Sequence, residues 1–133
     1  MFLEWSGIYS VNIKEFDDQH KKIFDIINRI YDLKEKGTEN LDEKEIVSEL
    51  KDYGNYHLST EEKYFEQFNY PEASAHIAQH NNYRARILEI ENQNLEEKEF
   101  FKELSTFLRG WWINHIQSLD QEYSNFFNQK GLY

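Results

Sequence analysis

Apolar residues recur along the chain in steps of three and four, the spacing of one buried face of an α-helix. Four such stripes predict four helices. The first covers about 18–36, where His20, Phe24, Ile27, Ile30 and Tyr31 share a face. The second covers about 41–68, with Ile46, Leu50, Tyr53, His57, Glu61, Tyr64 and Phe68 in line. The third covers about 71–91 through His76, His80, Tyr83, Ile87 and Ile90. The fourth covers about 95–128, with Leu104, Leu108, Trp111, His115 and Leu119 in line and Trp112, Ile116, Asp120 and Tyr123 on the adjoining flank. The punctuation agrees with these limits. Asp17 suits an N-cap and Gly37 a C-terminal stop. Asn40 with Glu43, and Asn94 with Glu97, have the spacing of a capping-box variant. Pro71 suits a first helical position. Residues 1–16 carry Leu3, Trp5, Ile8, Val11, Ile13 and Phe16 and predict an extended arm lying across the helices. Connections of a few residues make successive helices antiparallel neighbours. The expected fold is all-α, an antiparallel up-down-up-down four-helix bundle with an extended N-terminal arm, forming one domain over 1–133.

Composition narrows the function classes. A length of 133 residues is enough for one core and short for two. A formal net charge of −10 makes nucleic acid and anionic membranes poor partners. The absence of cysteine excludes disulfides, iron–sulfur clusters and thiol catalysis. The N-terminus lacks the basic and long apolar regions of a signal peptide, and no apolar run is long enough to span a bilayer. The expectation is a soluble cytoplasmic domain whose protein partner is not readable.

The unusual feature is what occupies the apolar stripes. All five histidines lie on inward faces, together with Glu61 and Asp120. A single buried histidine is ordinarily a satisfied core residue. Five that converge are harder to explain that way. In an antiparallel bundle His20, His57, His76, His80 and His115 fall toward the end carrying the second turn, in a slab about 10–15 Å thick. His57/Glu61 and His76/His80 are each four apart, so each pair can face one point from one helix. A carboxylate in such a core costs several kcal/mol unless it is paired or bound to a metal. Few lysines or arginines share these stripes, and neutral imidazoles cannot neutralise a carboxylate. Five nitrogens and two carboxylates exceed the needs of one cation and suit two, bridged by the carboxylates. Imidazole and carboxylate without thiolate favour iron, zinc, manganese or copper over magnesium or calcium, and spacing does not choose among them. The weak point is Asp120. Five residues from His115, it lies about 140° away around an α-helix and must reach the site from the flank.

The segments "DDQH" (17–20), "HLSTEE" (57–62), "HIAQH" (76–80) and "HIQSLD" (115–120) together resemble the hemerythrin family, specifically its single-domain bacterial members. The likeness extends over the whole chain, including the aromatic arm and the "WW" before His115. It implies a centre of two iron ions, Fe2+/Fe3+, that binds dioxygen reversibly. By position, His76, His80 and His115 would hold one iron and His20 and His57 the other. Glu61 and Asp120 would bridge them with an oxo or hydroxo group. The resemblance implies an oxygen-binding protein for carriage, storage or sensing rather than an enzyme. Two alternatives stand beside it. One is an oxidase, peroxidase or nitric-oxide-handling enzyme on the same site, taking peroxide or nitric oxide. The other is a structural bundle fastened by zinc.

Trp112, Phe24, Trp111 and Ile77 neighbour the ligand positions and are candidates for the wall of an oxygen pocket, although ordinary core packing is the simpler reading of Trp111, Phe24 and Ile77. Trp112 stands where the family commonly has a smaller aliphatic residue. Tyr53 and Tyr123 are candidates for donating a proton or electron, or for ordinary amphipathic core residues. Gly54 and Gly110 interrupt helices at about 1 kcal/mol each relative to alanine, which close helix packing would explain.

Overall fold

The stripes wind into helices because each buries its apolar face against two neighbours. The structure, a computed structural model, describes residues 2–36 and 43–133. It contains α1 (Lys14–Lys36), α2 (Glu43–Phe68), α3 (Ala73–Glu91), α4 (Glu97–His115) and α5 (Gln121–Gln129), with a short 3-10 turn at Gly7–Tyr9. Between α4 and α5 lies a π-helical turn, Ile116–Asp120. Its flanking residues keep right-handed helical dihedrals, so α4, the π turn and α5 form one continuous rod. No strand occurs among the described residues. α1 packs on α2 and α4, and α3 packs on the same two. Partner residues run in opposite directions along adjacent helices. Glu15 meets Tyr64 while Arg29 meets Glu49, and Glu62 meets His80 while Lys51 meets Glu91. The fold is therefore an antiparallel four-helix bundle.

α1 begins at Lys14, earlier than the sequence pattern suggested. Asp17 lies inside its first turn and not at the N-cap. Its carboxylate reaches back to accept the Val11 backbone N–H at 2.8 Å and the Ser10 hydroxyl at 2.6 Å. Asn12, with φ 58°, turns the corner between arm and helix. Leu3, Val11 and Ile13 are buried, but Ile8 is 64% exposed because the 3-10 turn points it outward. The Asn28 amide pins the arm by pairing with both backbone groups of Leu3 at 2.8 Å. Gly37, Asn40 and the side chain of Glu43 lie outside the described residues.

Two other boundaries differ from expectation. Pro71 stands in a turn closed by the Ala73 N–H bonding to the Tyr70 carbonyl, and α3 starts only after it. Proline at the second position of such a turn is favoured for its fixed φ. Asn94 adopts a left-handed φ of 53°, and the N-cap position of α4 is Glu96, without a side-chain cap bond. The face of α4 is also rotated. Leu104, Leu108, Trp112, Ile116, Asp120, Tyr123 and Phe127 are buried, while Trp111 and Leu119 are half-buried. What the pattern placed on the flank is the centre, because this helix packs against both α1 and α3. Gly110 is exposed with open space where a Cβ would sit, so close packing does not account for it. Gly54 is buried, and a Cβ there would lie 3.5 Å from the Tyr83 hydroxyl.

Candidate metal centre

His20 on α1, His57 and Glu61 on α2, His76 and His80 on α3, His115 on α4 and Asp120 in the π turn meet in the bundle interior. Each is at most 2% exposed. Two sets of four are close enough to hold a cation. Glu61, His76, His80 and His115 each offer a donor atom within 4.8 Å of the others, and so do His20, His57, Glu61 and Asp120. The carboxylates span both sets. Glu61 Oε1 faces His80 Nε2 at 3.3 Å and His76 Nε2 at 3.9 Å, while Oε2 faces His57 at 3.5 Å and His20 at 3.9 Å. Asp120 Oδ1 lies 2.9 Å from His76 and 3.1 Å from His115, and Oδ2 lies 3.2 Å from His20. Each carboxylate thus turns one oxygen to a three-histidine group and the other to a two-histidine group.

The π turn explains how Asp120 gets there. In an uninterrupted α-helix it would face away from His115. The i→i+5 pairing of a π turn instead brings residues five apart over one another, and such turns recur at functional sites. The five-residue step from His115 to Asp120 was the available signal for it in the sequence.

Partners outside the cage set the ring orientations. His57 Nδ1–H donates to Gln19 Oε1 at 2.5 Å, His80 Nδ1–H to Glu62 Oε2 at 2.7 Å and His115 Nδ1–H to Gln79 Oε1 at 3.2 Å. Each bond turns its ring so that Nε2 faces inward. Arg84 in turn donates to both Glu62 oxygens, at 3.1 and 3.4 Å. The Tyr123 hydroxyl donates to Glu61 Oε2 in a short bond. Gln19, Glu62, Gln79 and Arg84 were not foreseen. Gln19, Glu62 and Gln79 each adjoin a ligand position in sequence. A residue next to an inward-facing one turns about 100° toward the neighbouring helix, where it meets the neighbour's histidine.

Two buried carboxylates set among five imidazoles govern the electrostatics of the site. Burial and the charge of Asp120 push the Glu61 carboxyl up, but its contacts with His57 and His80 outweigh them and hold it below the usual range. Burial likewise opposes the charge of Asp120, and attraction to His115, His20 and His76 holds it well below. Burial lowers His57. It also works against a charged His80, yet Glu61 and Glu62 raise that imidazole to about 9. Burial, then the charges of Asp120 and Glu61, push Tyr123 well above its ordinary value. Six of the cage atoms nevertheless lack hydrogen-bond partners, although Glu61 Oε2 accepts from Tyr123 and His76 Nε2 pairs with His115 Nε2 at 3.0 Å. His20 Nε2, His57 Nε2, His80 Nε2, Glu61 Oε1 and both Asp120 oxygens are buried without one. Groups of this kind cost about 1–3 kcal/mol each when left unsatisfied. Cations between them would satisfy all six atoms, so the residues fit a metal centre.

Aromatic rings wall the cage. Trp112 is fully buried, its ring 5.8 Å from His57 and 6.3 Å from His20. Trp111 stacks on His115 at 4.3 Å. Phe65 lies 4.7 Å from His76. Phe24 instead packs edge-on against Trp5 and Tyr9 of the arm. Ile77 is half-buried and lines a surface groove with Glu62, Lys63 and Phe65. Tyr53 lies in a surface groove between α1 and α2 beside Tyr56. Of the two tyrosines singled out from sequence, only Tyr123 touches the cage.

The hemerythrin HHE cation-binding domain matches residues 11–126. The chain belongs to the hemerythrin family. The bacteriohemerythrin of Clostridium acetobutylicum is 27% identical over 124 residues, covering 90% of this chain and 96% of that protein. The bacteriohemerythrin of Pseudomonas aeruginosa is 31% identical over 121 residues, covering 91% of this chain and 78% of its own. The crystal structure of a wild-type hemerythrin matches this fold with a TM-score of 0.77 at 26% identity, over 94% of this chain and 97% of that one. Membership of the hemerythrin family implies non-haem iron, and the histidine–carboxylate cage offers such an ion its donors. No helix among the described residues is long and apolar enough to cross a membrane.

Proposed function

We propose that this hemerythrin-family chain binds dioxygen reversibly at two non-haem irons, which Glu61 and Asp120 would hold in common together with a solvent-derived oxo or hydroxo group. The observation carrying the reading is the division of each carboxylate's oxygens between a three-histidine and a two-histidine group. When bound, the two irons supply the electrons that pass to dioxygen and return on its release.

The chain's own residues favour binding over turnover. His76, His80 and His115 would hold one ion, and His20 and His57 the other, leaving the second with fewer protein ligands. Gln19, Glu62 and Gln79 hold the tautomers in which Nε2 faces inward. The Tyr123 hydroxyl fixes Glu61 and keeps its own proton, since burial and the nearby carboxylates disfavour a phenolate. Trp112, Trp111 and Phe65 cover the cage and keep water out. A mostly neutral, closely held donor set in a dry interior is the environment expected for reversible binding.

Metal analysis combined with visible spectroscopy tests the proposal. Protein loaded with ferrous iron without air should carry two irons per chain, colour on exposure to dioxygen and bleach when the gas is removed. A lone zinc that persists through ferrous iron treatment, or a colour change that does not reverse, would overturn it.

A further inference from the structure

The five imidazoles differ in what receives their outer nitrogen. His80 donates to a carboxylate, Glu62, at 2.7 Å. His57 and His115 donate to the neutral amides of Gln19 and Gln79. The Nδ1 atoms of His20 and His76 have no hydrogen-bond partner among the described residues. A carboxylate acceptor draws the Nδ1 proton outward and raises electron density at the opposite ring nitrogen, more strongly than an amide does. His80 Nε2 is one of the buried atoms facing into the cage. Glu62 is itself fixed. Arg84 grips both its oxygens while bonding to Asn55 at 3.1 Å and Asn81 at 3.0 Å, so the clamp ties α2 to α3 at the carboxylate that His80 meets. The guanidinium also draws charge from Glu62, moderating what the carboxylate gives to His80. Glu62 and Arg84 therefore push His80 in opposite directions.

We propose that Glu62, clamped by Arg84, is a positioning residue that makes His80 the strongest donor of the five histidines, so that the three-histidine group favours the more oxidised ion. The part concerning oxidation state rests on the two-iron reading, whereas the effect on His80 does not. Glu62 touches no bound ion and acts through His80.

The test uses zinc, which has no redox chemistry, and the variants Glu62→Gln, Arg84→Met and Glu66→Gln. Glu66 carries the same charge one turn further along α2 but is exposed. Glu62→Gln should lower zinc affinity roughly 10–100-fold, the usual loss when the partner of a ligating histidine is altered. In the zinc-loaded protein, the His80 Nδ1 proton should give a low-field NMR resonance. That resonance should move upfield in Glu62→Gln and further downfield in Arg84→Met, and stay in place in Glu66→Gln. With iron bound, the midpoint potential should rise in Glu62→Gln and fall in Arg84→Met. The proposal is overturned if Glu62→Gln leaves zinc affinity within about twofold, if Glu62→Gln and Arg84→Met move the proton in the same direction, or if Glu66→Gln matches Glu62→Gln. Failure of the two-iron reading would leave the zinc affinities and proton shifts as independent evidence.

Discussion

Tyr123→Phe removes one oxygen from the most enclosed part of the bundle and leaves the ring in place. Tyr123 and Glu61 are both fully buried, and the hydroxyl donates to a carboxylate held in its charged form. A hydrogen bond to a charged group contributes about 1.5–3 kcal/mol, and no cavity larger than the lost oxygen forms. Metal-free protein should therefore lose about 1.5–3 kcal/mol. For a chain of 133 residues this lowers the melting temperature by roughly 6–12 °C. With metal bound, cations compensate both Glu61 oxygens, and the loss should fall to the 0.5–1.5 kcal/mol typical of an ordinary hydrogen bond. Urea unfolding of the metal-free and zinc-loaded forms, wild type against variant, measures the difference between the two losses. Equal losses in the two forms would refute the claim that Glu61 depends on Tyr123 chiefly when no cation is present.

Gly110→Ala should stabilise the protein by about 1 kcal/mol, because the position is helical, exposed and open around the new methyl group; thermal unfolding reads this directly. Asn28→Ala should cost about 1–2 kcal/mol by breaking both bonds to Leu3, and hydrogen exchange should show the Leu3 amide losing protection. Metal affinity should rise with pH between 7 and about 9, by roughly tenfold per unit, because incoming metal must displace the proton held on His80. The same raised value gives the metal-free fold a contribution that is complete below the unfolded value of 6.5 and lost as pH rises through about 9. Zinc titrations at several pH values, with parallel denaturation of the metal-free form, check both signs.

The helix count, the antiparallel order and the burial of the five histidines and Glu61 were legible in the sequence, because helical periodicity records which side chains must leave water. His57 and Glu61 illustrate this. Their four-residue spacing and apolar surroundings suffice to place both on one buried face. Asp120 was not placed by the same rule, since α-helical periodicity turns it away from His115 and only the π turn brings it round. Trp112 displaced Trp111 from the centre of its face because α4 packs on two neighbours at once, and one helix's pattern does not state where both contacts fall. Gln19, Glu62, Gln79 and Arg84 were equally hidden. Gln19, Glu62 and Gln79 each meet a histidine of another helix and Arg84 meets Glu62 of α2, so these roles exist only once the bundle sets the distances between helices. The sequence by itself determined that the five histidines and Glu61 lie on buried faces, because their spacing keeps them in line with apolar residues. The tertiary structure decided which carboxylate oxygen faces which histidine and what holds each ring in place, because those contacts join residues far apart in the chain.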